Sequence, residues 1–271
     1  MTNRAIPNAG LFPALLKHWR ARRGLSQLDL ALAAEVSARH VSFLETGRAK
    51  PSRDMALRLG ATLDVPLRDQ NALLRAAGFD AEFGDADRGA LPDLIRATLE
   101  QMKAKHEPFP LAIMSRTYDL IDANAGAFAL LAHILPAPPD PATFNLLDAM
   151  FDPAQLKPFI LNWDQTARLT LDRLHREALG ELDDGSVSAL LGRLLALPDI
   201  PKEWRQPDLS EPAQPCFTLR LAAGDEVLSF LTTLTAFSAP QNVLVQELRI
   251  EAYYPLDEVT RAACERFATP R

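Results

Sequence analysis

The chain is poor in cysteine and has no long, purely apolar run. Its 271 residues include two cysteines, Cys216 and Cys264, which are too few and too far apart for a disulfide framework or a CxxC metal site. The longest stretch without charge, residues 227–246, has about the length of a membrane span, but it is rich in Ser and Thr and contains APQN. It therefore predicts two strands and a turn. No secretory apolar segment stands near the N-terminus, so we expect a cytoplasmic protein that does not enter the membrane.

The signatures of several enzyme classes are also missing. There is no HExxH, no GxSxG and no Gly-rich phosphate loop, and the five histidines are scattered along the chain. The sequence thus predicts no catalytic residues, no metal site, no cofactor and no enzymatic activity. Cys264 leaves two interpretations open: a thiol whose pKa is lowered by Arg261 and Arg266, or a small buried side chain.

Positive charge is concentrated in the first third of the chain. The formal net charge is −6, yet residues 1–79 hold twelve Lys and Arg against six Asp and Glu, whereas residues 80–271 hold 17 against 29. A basic head on an acidic body predicts a small domain that meets a polyanion and a larger domain with another role.

A change in composition marks the domain boundary. A helix pattern ends in the sequence LLRAAG, with glycine at the position that commonly terminates helices. An acidic segment, DAEFGDADRGALP, follows. We predict a DNA-binding domain over residues 10–79, a linker over 80–92, a connecting helix over 93–107 and a second domain over 108–271.

The basic head shows the spacing of five short helices. Ser26 and Ser37 stand where N-caps are expected, and the turn Glu35–Ser37 separates the second helix from the third. Small Ala31 allows these two helices to cross closely. Two short helices joined by a tight turn predict a helix-turn-helix, whose second helix enters the major groove of DNA.

Candidate DNA contacts follow from that geometry. Gln27 is expected to meet a phosphate, Arg39 to read guanine, and Ala38 or Phe43 to touch a thymine methyl. His40 is open between base and phosphate contact, Phe43 between base contact and packing, and Glu45 is expected to pair within the domain. The complete set of predicted contacts is Gln27, Ser37, Ala38, Arg39, His40, Ser42, Phe43, Arg48, Lys50 and Arg53, of which the last three are expected at phosphates.

These residues also carry a resemblance. The segment LSQLDLALAAEVSARHVSFLETGRAKPS resembles the Cro/C1-type (XRE) helix-turn-helix family of bacterial regulators, over about residues 12–78. The resemblance implies an all-α, five-helix, lambda-repressor-like domain that binds double-stranded DNA. Glu35 departs from the family pattern, which has a glycine in the turn, and a left-handed backbone there is strained for a glutamate.

The acidic body alternates between strands and helices. Short strands are predicted at 108–114 and 118–123, and Asn124 caps a helix. Helical patterns then cover 143–151, 153–179 and 186–197, and strands return at 216–222, 227–237 and 244–254 before a last helix near 255. Five strands interrupted by helices predict an α+β domain with a five-stranded antiparallel sheet covered on one face.

This order is PAS-like, and three segments carry a closer resemblance. PLAIMSRTYDLIDANAGAFALLAHI, NLLDAMFDP and NWDQTARLTLDRLHREA resemble the MmyB-like ligand-binding domain, which follows an XRE head in many bacterial regulators. The resemblance implies that a fatty acid or a similar small apolar molecule lies between sheet and helices.

Apolar side chains supply candidates for the wall of such a pocket, although each such residue is more often part of an ordinary core than of a ligand pocket. The wider set is Phe128, Leu131, Phe144, Leu147, Met150, Phe151, Phe159, Trp163, Phe217, Phe230 and Phe237. The predicted ligand-binding residues are Phe128, Phe151, Phe159, Trp163, Arg168 and Phe230. For an acidic ligand, either Arg168 or Arg173 is expected at the carboxylate, and a solvated position remains open for both.

Together these observations predict a sequence-specific DNA-binding transcriptional regulator that senses a small-molecule effector. We expect a homodimer on a near-palindromic operator, because such heads read two half-sites. The alternative is a protein-interaction adaptor for a sigma factor or polymerase, with an XRE head and no ligand.

Overall fold

The computed structural model describes residues 10–84, 91–179, 185–206, 217–238 and 240–268. The chain divides into two compact units. The first lies within residues 1–89 and includes 240–243, and the second comprises residues 90–239 and 244–271. Within the described residues, no helix combines the length and apolar character needed to cross a membrane.

Five helices are described in the first unit. They are α1 (Leu11–Arg22), α2 (Gln27–Ala33), α3 (Ala38–Glu45), α4 (Arg53–Thr62) and α5 (Leu67–Ala77). Ser26, Ser37 and Ser52 each accept a hydrogen bond from the backbone N–H three residues on, which satisfies one of the free donors of α2, α3 and α4. The two caps predicted from the sequence are therefore confirmed, as is the five-helix order.

A single apolar core holds these helices together. Its largest fully buried side chain is Trp19, and Ala31 is 1% exposed, as expected where α2 and α3 cross closely. The turn between these helices places Glu35 at φ +54°. The glutamate thus adopts the left-handed conformation that a glycine would occupy without strain.

The second unit combines helices with one sheet. Its helices are α6 (Asp93–His106), α7 (Ala125–Ile134), α8 (Leu146–Phe151), α9 (Trp163–Ala178), α10 (Ser186–Leu195), α11 (Val243–Glu247) and α12 (Glu258–Ala268), with short 3-10 helices at Lys157–Phe159 and Lys202–Arg205. Its strands are β1 (Leu111–Met114), β2 (Leu120–Ala123), β3 (Phe217–Ala223), β4 (Glu226–Thr235) and β5 (Arg249–Pro255).

The sheet has the order β2-β1-β5-β4-β3, and all neighbours are antiparallel. The predicted five-stranded antiparallel sheet is therefore confirmed. The predicted cap is present too, because Asn124 Oδ1 accepts from the Ala127 backbone N–H at 2.9 Å at the start of α7.

Two local predictions were wrong. The predicted strand 244–254 begins with α11, so β5 starts only at Arg249. In the predicted helix 153–179, the α-helix starts only at Trp163 and is preceded by a short 3-10 helix. Both apolar runs were long enough for either structure, and tertiary packing decided between them. Cys216, the first residue of the predicted strand 216–222, lies outside the described residues.

The sheet is covered on both faces along β1 and β5, not on one face as predicted. Side chains alternate along a strand, so successive residues face opposite layers. Ile250 and Ala252 of β5 pack with Leu99 of α6, while the intervening Glu251 faces the other layer. That other layer is the main core, formed with α7 to α10.

Candidate functional site

In the helix-turn-helix unit, the Glu45 carboxylate accepts several hydrogen bonds near the start of α2. Its carboxylate accepts from Arg20 Nε at 2.6 Å and from Gln27 Nε2 at 2.7 Å. Burial raises the pKa of Glu45, but the hydrogen bonds from Arg20 and Gln27 and the charge of Arg20 outweigh it, so the pKa is lowered. The interpretation of Glu45 as an intradomain ion-pair partner is confirmed. The same contact fixes the amide of Gln27 at the start of the motif.

On α3, Phe43 lies beneath two arginines. The Arg39 guanidinium carbon lies 5.1 Å from the ring centroid, and that of Arg48 lies 5.9 Å away. Guanidinium groups at this distance are attracted to the ring face. Phe43 is half-buried, and its ring contacts both exposed arginines. Lys50 is exposed nearby in sequence.

Four further predicted DNA contacts, on α3 or directly before it, either contact other residues of the unit or are partly buried. Ser37 Oγ is the N-cap of α3 and accepts from the His40 backbone N–H at 3.1 Å. Ala38 packs against the core of the unit. His40 and Ser42 are half-buried. These residues shape the N-terminal end of the helix that the sequence assigns to the groove.

Arg53 differs from Arg48 and Lys50. At the start of α4, its Nη2 forms an ion pair with the Glu82 carboxylate. Asn71 holds that acidic segment, because its Oδ1 accepts from the backbone N–H groups of Glu82 and Phe83, each at 3.1 Å. A phosphate at Arg53 would have to compete with Glu82.

The second unit contains an apolar cavity of about 90 Å³ between the sheet and its helices. Strands β1, β2, β3 and β5 and helices α7 to α9 contribute walls. The lining residues are Pro110, Ala112, Met114, Leu120, Ala123, Ala127, Phe128, Leu130, Leu131, Ile134, Phe144, Leu146, Leu147, Met150, Leu156, Ile160, Thr166, Thr170, Arg173, Leu219, Leu221, Glu251 and Tyr253.

Five of those residues make the lining polar in one part. Thr166, Thr170 and Arg173 follow one another at four and three residues on α9, which puts them on one face of the helix. Glu251 and Tyr253 alternate on β5 and so face the same layer. The cavity therefore combines long apolar walls with one polar region.

Three buried polar atoms in and beside this region have no hydrogen-bond partner among the described residues: Thr166 Oγ1, Arg173 Nε and Tyr118 Oη. Leaving such an atom unsatisfied costs about 1–3 kcal/mol. One N–H donor and one hydroxyl in the cavity lining, Arg173 Nε and Thr166 Oγ1, are groups that a ligand with a polar head group would satisfy.

The charges of this region are closely spaced. The Arg173 and Arg249 guanidinium carbons each lie 5.2 Å from the Tyr118 ring centroid, and Arg249 Nη2 donates to Glu177 at 2.7 Å. Burial raises the pKa of Tyr118 to about 12. Burial also raises the pKa of Glu251, against the opposing charges of Arg173 and Arg249.

The predicted ligand-binding residues fall in different places. Phe128 lines the cavity, whereas Phe151 and Phe230 are buried in the core outside the lining. Phe159 and Trp163 are not in the lining, and Trp163 Nε1 instead donates to the Met150 carbonyl at 3.1 Å. From the wider set, Leu131, Phe144, Leu147 and Met150 also line the cavity, and the side chain of Phe217 is outside what the structure describes.

The structure places the two arginines proposed for a ligand carboxylate, Arg168 and Arg173, in different environments. Arg168 is exposed, and Arg173 lines the cavity. Five residues on a helix correspond to a rotation of about 140°, so only one of the two reaches the cavity. Sequence reasoning missed Thr166, Thr170, Glu251 and Tyr253. The available signals were the spacing of Thr166, Thr170 and Arg173 and the one acid inside the apolar strand β5.

Cys264 is a buried small side chain. It is 3% exposed, and burial raises the pKa of its thiol to about 11. The neighbouring arginines therefore do not activate it. Within the described ranges there is also no group of three or more His, Cys, Asp or Glu placed to hold a metal ion.

A helix-turn-helix unit followed by an α+β unit with an internal cavity indicates a transcription regulator with a DNA-binding head and a ligand-binding domain. Comparison with known families agrees. Residues 95–267 match the MmyB-like transcription regulator ligand-binding domain, and residues 16–70 match a helix-turn-helix family. Because the first match covers well over half of the chain, the protein belongs to the MmyB-like transcription regulators.

A curated relative is also a helix-turn-helix transcriptional regulator. The chain is 38% identical over 77 residues to the HTH-type transcriptional regulator DdrOP3 of Deinococcus deserti. The match covers 28% of this chain and 55% of the relative. The chain thus spans about half the length of that relative, and the similarity bears on part of each protein.

Proposed function

We propose that this protein is a sequence-specific transcriptional regulator whose DNA affinity is set by a small, mostly apolar effector, with a fatty acid as the first candidate. The cavity of about 90 Å³ in the ligand-binding domain carries the proposal. Its apolar walls suit a hydrocarbon chain, and its orphan polar atoms suit a head group.

The head is proposed to read DNA with α3. Arg39 is assigned to guanine in the major groove, since its guanidinium is exposed and is held against the Phe43 ring. Arg48 and Lys50 are assigned to phosphates, together with the amide of Gln27. Arg53 contacts phosphate only after it leaves Glu82.

The regulator is proposed to act as a cytoplasmic homodimer on a near-palindromic operator. Two heads related by a twofold axis would place their α3 helices about one DNA turn apart. An effector changes DNA affinity only if it binds two arrangements of the dimer unequally. Support for this step is the order of domains, a DNA-binding unit followed by a ligand-binding unit.

The proposal is tested on the purified full-length chain. Mass spectrometry of what denaturation releases identifies a bound molecule, and gel shifts with and without that molecule measure its effect on operator binding. A stoichiometric apolar molecule that changes operator affinity supports the proposal. A chain that retains no DNA under heparin challenge and releases nothing would instead be an adaptor.

A further inference from the structure

The cavity lining contains an acidic side chain, Glu251, which a purely apolar ligand would not require. Glu251 lies in β5 between Ile250 and Ala252, is 5% exposed, and faces the cavity rather than α6. Across the strand pairs its neighbours are Ala112 and Leu234, neither of which offers charge or a hydrogen-bonding side chain. A buried carboxylate in such a position is costly unless it is paired or protonated.

The charged and titratable groups that face Glu251 come from three elements. Helix α9 supplies Arg173, β5 itself supplies Arg249 and Tyr253, which is hydrogen-bonded to the Glu251 side chain, and the turn between β1 and β2 supplies Tyr118. Arg249 already has a carboxylate partner in Glu177, at 2.7 Å. Arg173 Nε, in contrast, is buried without a hydrogen-bond partner in the described part of the chain.

Arg173 is therefore the cation that a ligand carboxylate would contact. Glu251, when ionised, is the group that would repel the same carboxylate. Both residues line the same cavity. Two carboxylates in one buried site cannot both stay ionised, because like charges in a poorly solvated site raise the pKa of one of them. Burial already raises the pKa of Glu251, which favours Glu251 over the bound acid as the carrier of that proton.

We propose that Glu251 couples head-group binding to a proton: an aliphatic carboxylic acid binds with its carboxyl between Arg173 and Glu251, and the two carboxyl groups hold one proton between them. The proposal rests on the effector function given above and names the residue that sets the ionisation of the bound head group. The proton balance is simple. An ionised acid enters from water, and Glu251 either keeps its proton or takes one from solvent.

The pH dependence follows with a definite sign. While Glu251 carries its proton, the site has a net positive charge near Arg173 and accepts a carboxylate. As pH rises through the raised pKa of Glu251, binding must recover a proton from solvent, so affinity for the acid falls by up to about tenfold per pH unit. An amide of the same chain has no charge and escapes this cost.

The experiment uses the full chain stripped of bound lipid and two matched probes, decanoic acid and decanamide. Dissociation constants are measured from about pH 6 to about pH 9, where the free acid is fully ionised throughout. Affinity for the acid should fall as pH rises, by up to about tenfold per pH unit, and affinity for the amide should change by less than about twofold over the same range. In Glu251→Gln, which keeps the shape and removes the titration, the acid should lose its pH dependence.

A second pair of variants tests the partner cation. Arg173→Gln should weaken acid binding by at least about tenfold and amide binding far less. Arg168→Gln, an exposed arginine on another side of the same helix, is the control and should leave both affinities unchanged. If Glu251→Gln does not fold, the contrast between acid and amide in the unaltered protein still decides the question.

The failures of the two proposals are distinguishable. Acid and amide that bind with the same pH dependence, or a Glu251→Gln variant that keeps the dependence of the acid, would overturn the proton coupling and leave the effector function standing. Binding of neither probe at any pH overturns the coupling as well. If mass spectrometry also finds that the purified chain releases no molecule on denaturation, that result overturns the proposed effector function as well.

Discussion

Arg20 on α1 and Glu45 at the end of α3 form a two-point ion pair: Arg20 Nε lies 2.6 Å from Glu45 Oε1, and Nη2 lies 3.0 Å from Oε2. Arg20 Nη1 also donates to the Leu25 carbonyl at 2.7 Å. The pair is largely shielded, with 14% and 3% of the two side chains exposed. It therefore links the first helix to the turn before α2 and to the proposed recognition helix.

Glu45→Gln should destabilise the head by about 1.5–3 kcal/mol, because charge-assisted hydrogen bonds to Arg20 are lost. The lowered pKa of Glu45 fixes the sign with pH. The stabilisation is present above the ordinary glutamate pKa of 4.5 and is lost as pH falls through the lower folded value. Denaturant unfolding of the unaltered protein and of Glu45→Gln at several pH values should therefore show a difference in free energy of unfolding that becomes smaller at acid pH.

A matched control for that variant is Asp64→Asn. The Asp64 carboxylate pairs with Arg23 at 3.1 Å, but its side chain is 96% exposed. Exposed pairs contribute little, so we expect a change below about 1 kcal/mol. Equal losses for Glu45→Gln and Asp64→Asn would contradict the structural role of the shielded pair.

Glu35→Gly should stabilise the head by about 0.5–1 kcal/mol. The residue sits at φ +54°, where an L side chain costs about 1–2 kcal/mol, and the greater freedom of glycine in the unfolded chain removes part of the gain. Chemical denaturation measures the change. Ala33→Gly, at the last residue of α2, is the opposing control and should lower the free energy of unfolding by up to about 1 kcal/mol.

Arg39→Ala should lose about 1–3 kcal/mol of affinity for the operator and much less for random DNA. Lys50→Ala, as the contrast, should weaken binding to both and reduce the salt slope by about one unit. Fluorescence titrations at several salt concentrations measure both quantities. A uniform loss for Arg39→Ala would assign it to phosphate, and an unchanged slope for Lys50→Ala would remove it from the interface.

Gly126→Ala should destabilise the ligand-binding domain by about 1–3 kcal/mol, although alanine favours helices. A Cβ there would overlap the backbone of Pro108, with the carbonyl carbon at 2.8 Å. Gly126 is also the second residue of the helix that carries Phe128 into the cavity wall. Thermal unfolding of the full chain measures the loss in the transition of this domain.

Gly192→Ala in α10 is the control for that substitution. A Cβ at Gly192 meets nothing within 4 Å. The intrinsic preference of helices for alanine then acts alone, and stability should rise by about 0.5–1 kcal/mol. If both variants gained stability, the close approach of Gly126 to Pro108 would not be rigid.

The head was predictable because its signals are local. Ser26 and Ser37 cap the helices that follow them, and each cap involves residues only three positions apart. Glu35 was recognised as the departure in the turn, and its positive φ follows from the same local geometry. The sheet was predictable in number and direction of strands, since alternation along each strand is also a local property.

The polar region of the cavity was not predictable in the same way. Thr166, Arg173 and Glu251 come from a helix and a strand more than seventy residues apart, and the rotation of α9 about its axis chose Arg173 over Arg168. The sequence by itself determined the caps, the helix-turn-helix and the strand alternation, because those depend on neighbours along the chain. Only the tertiary structure decided which side chains share the cavity, because that depends on which faces of distant elements pack against one another.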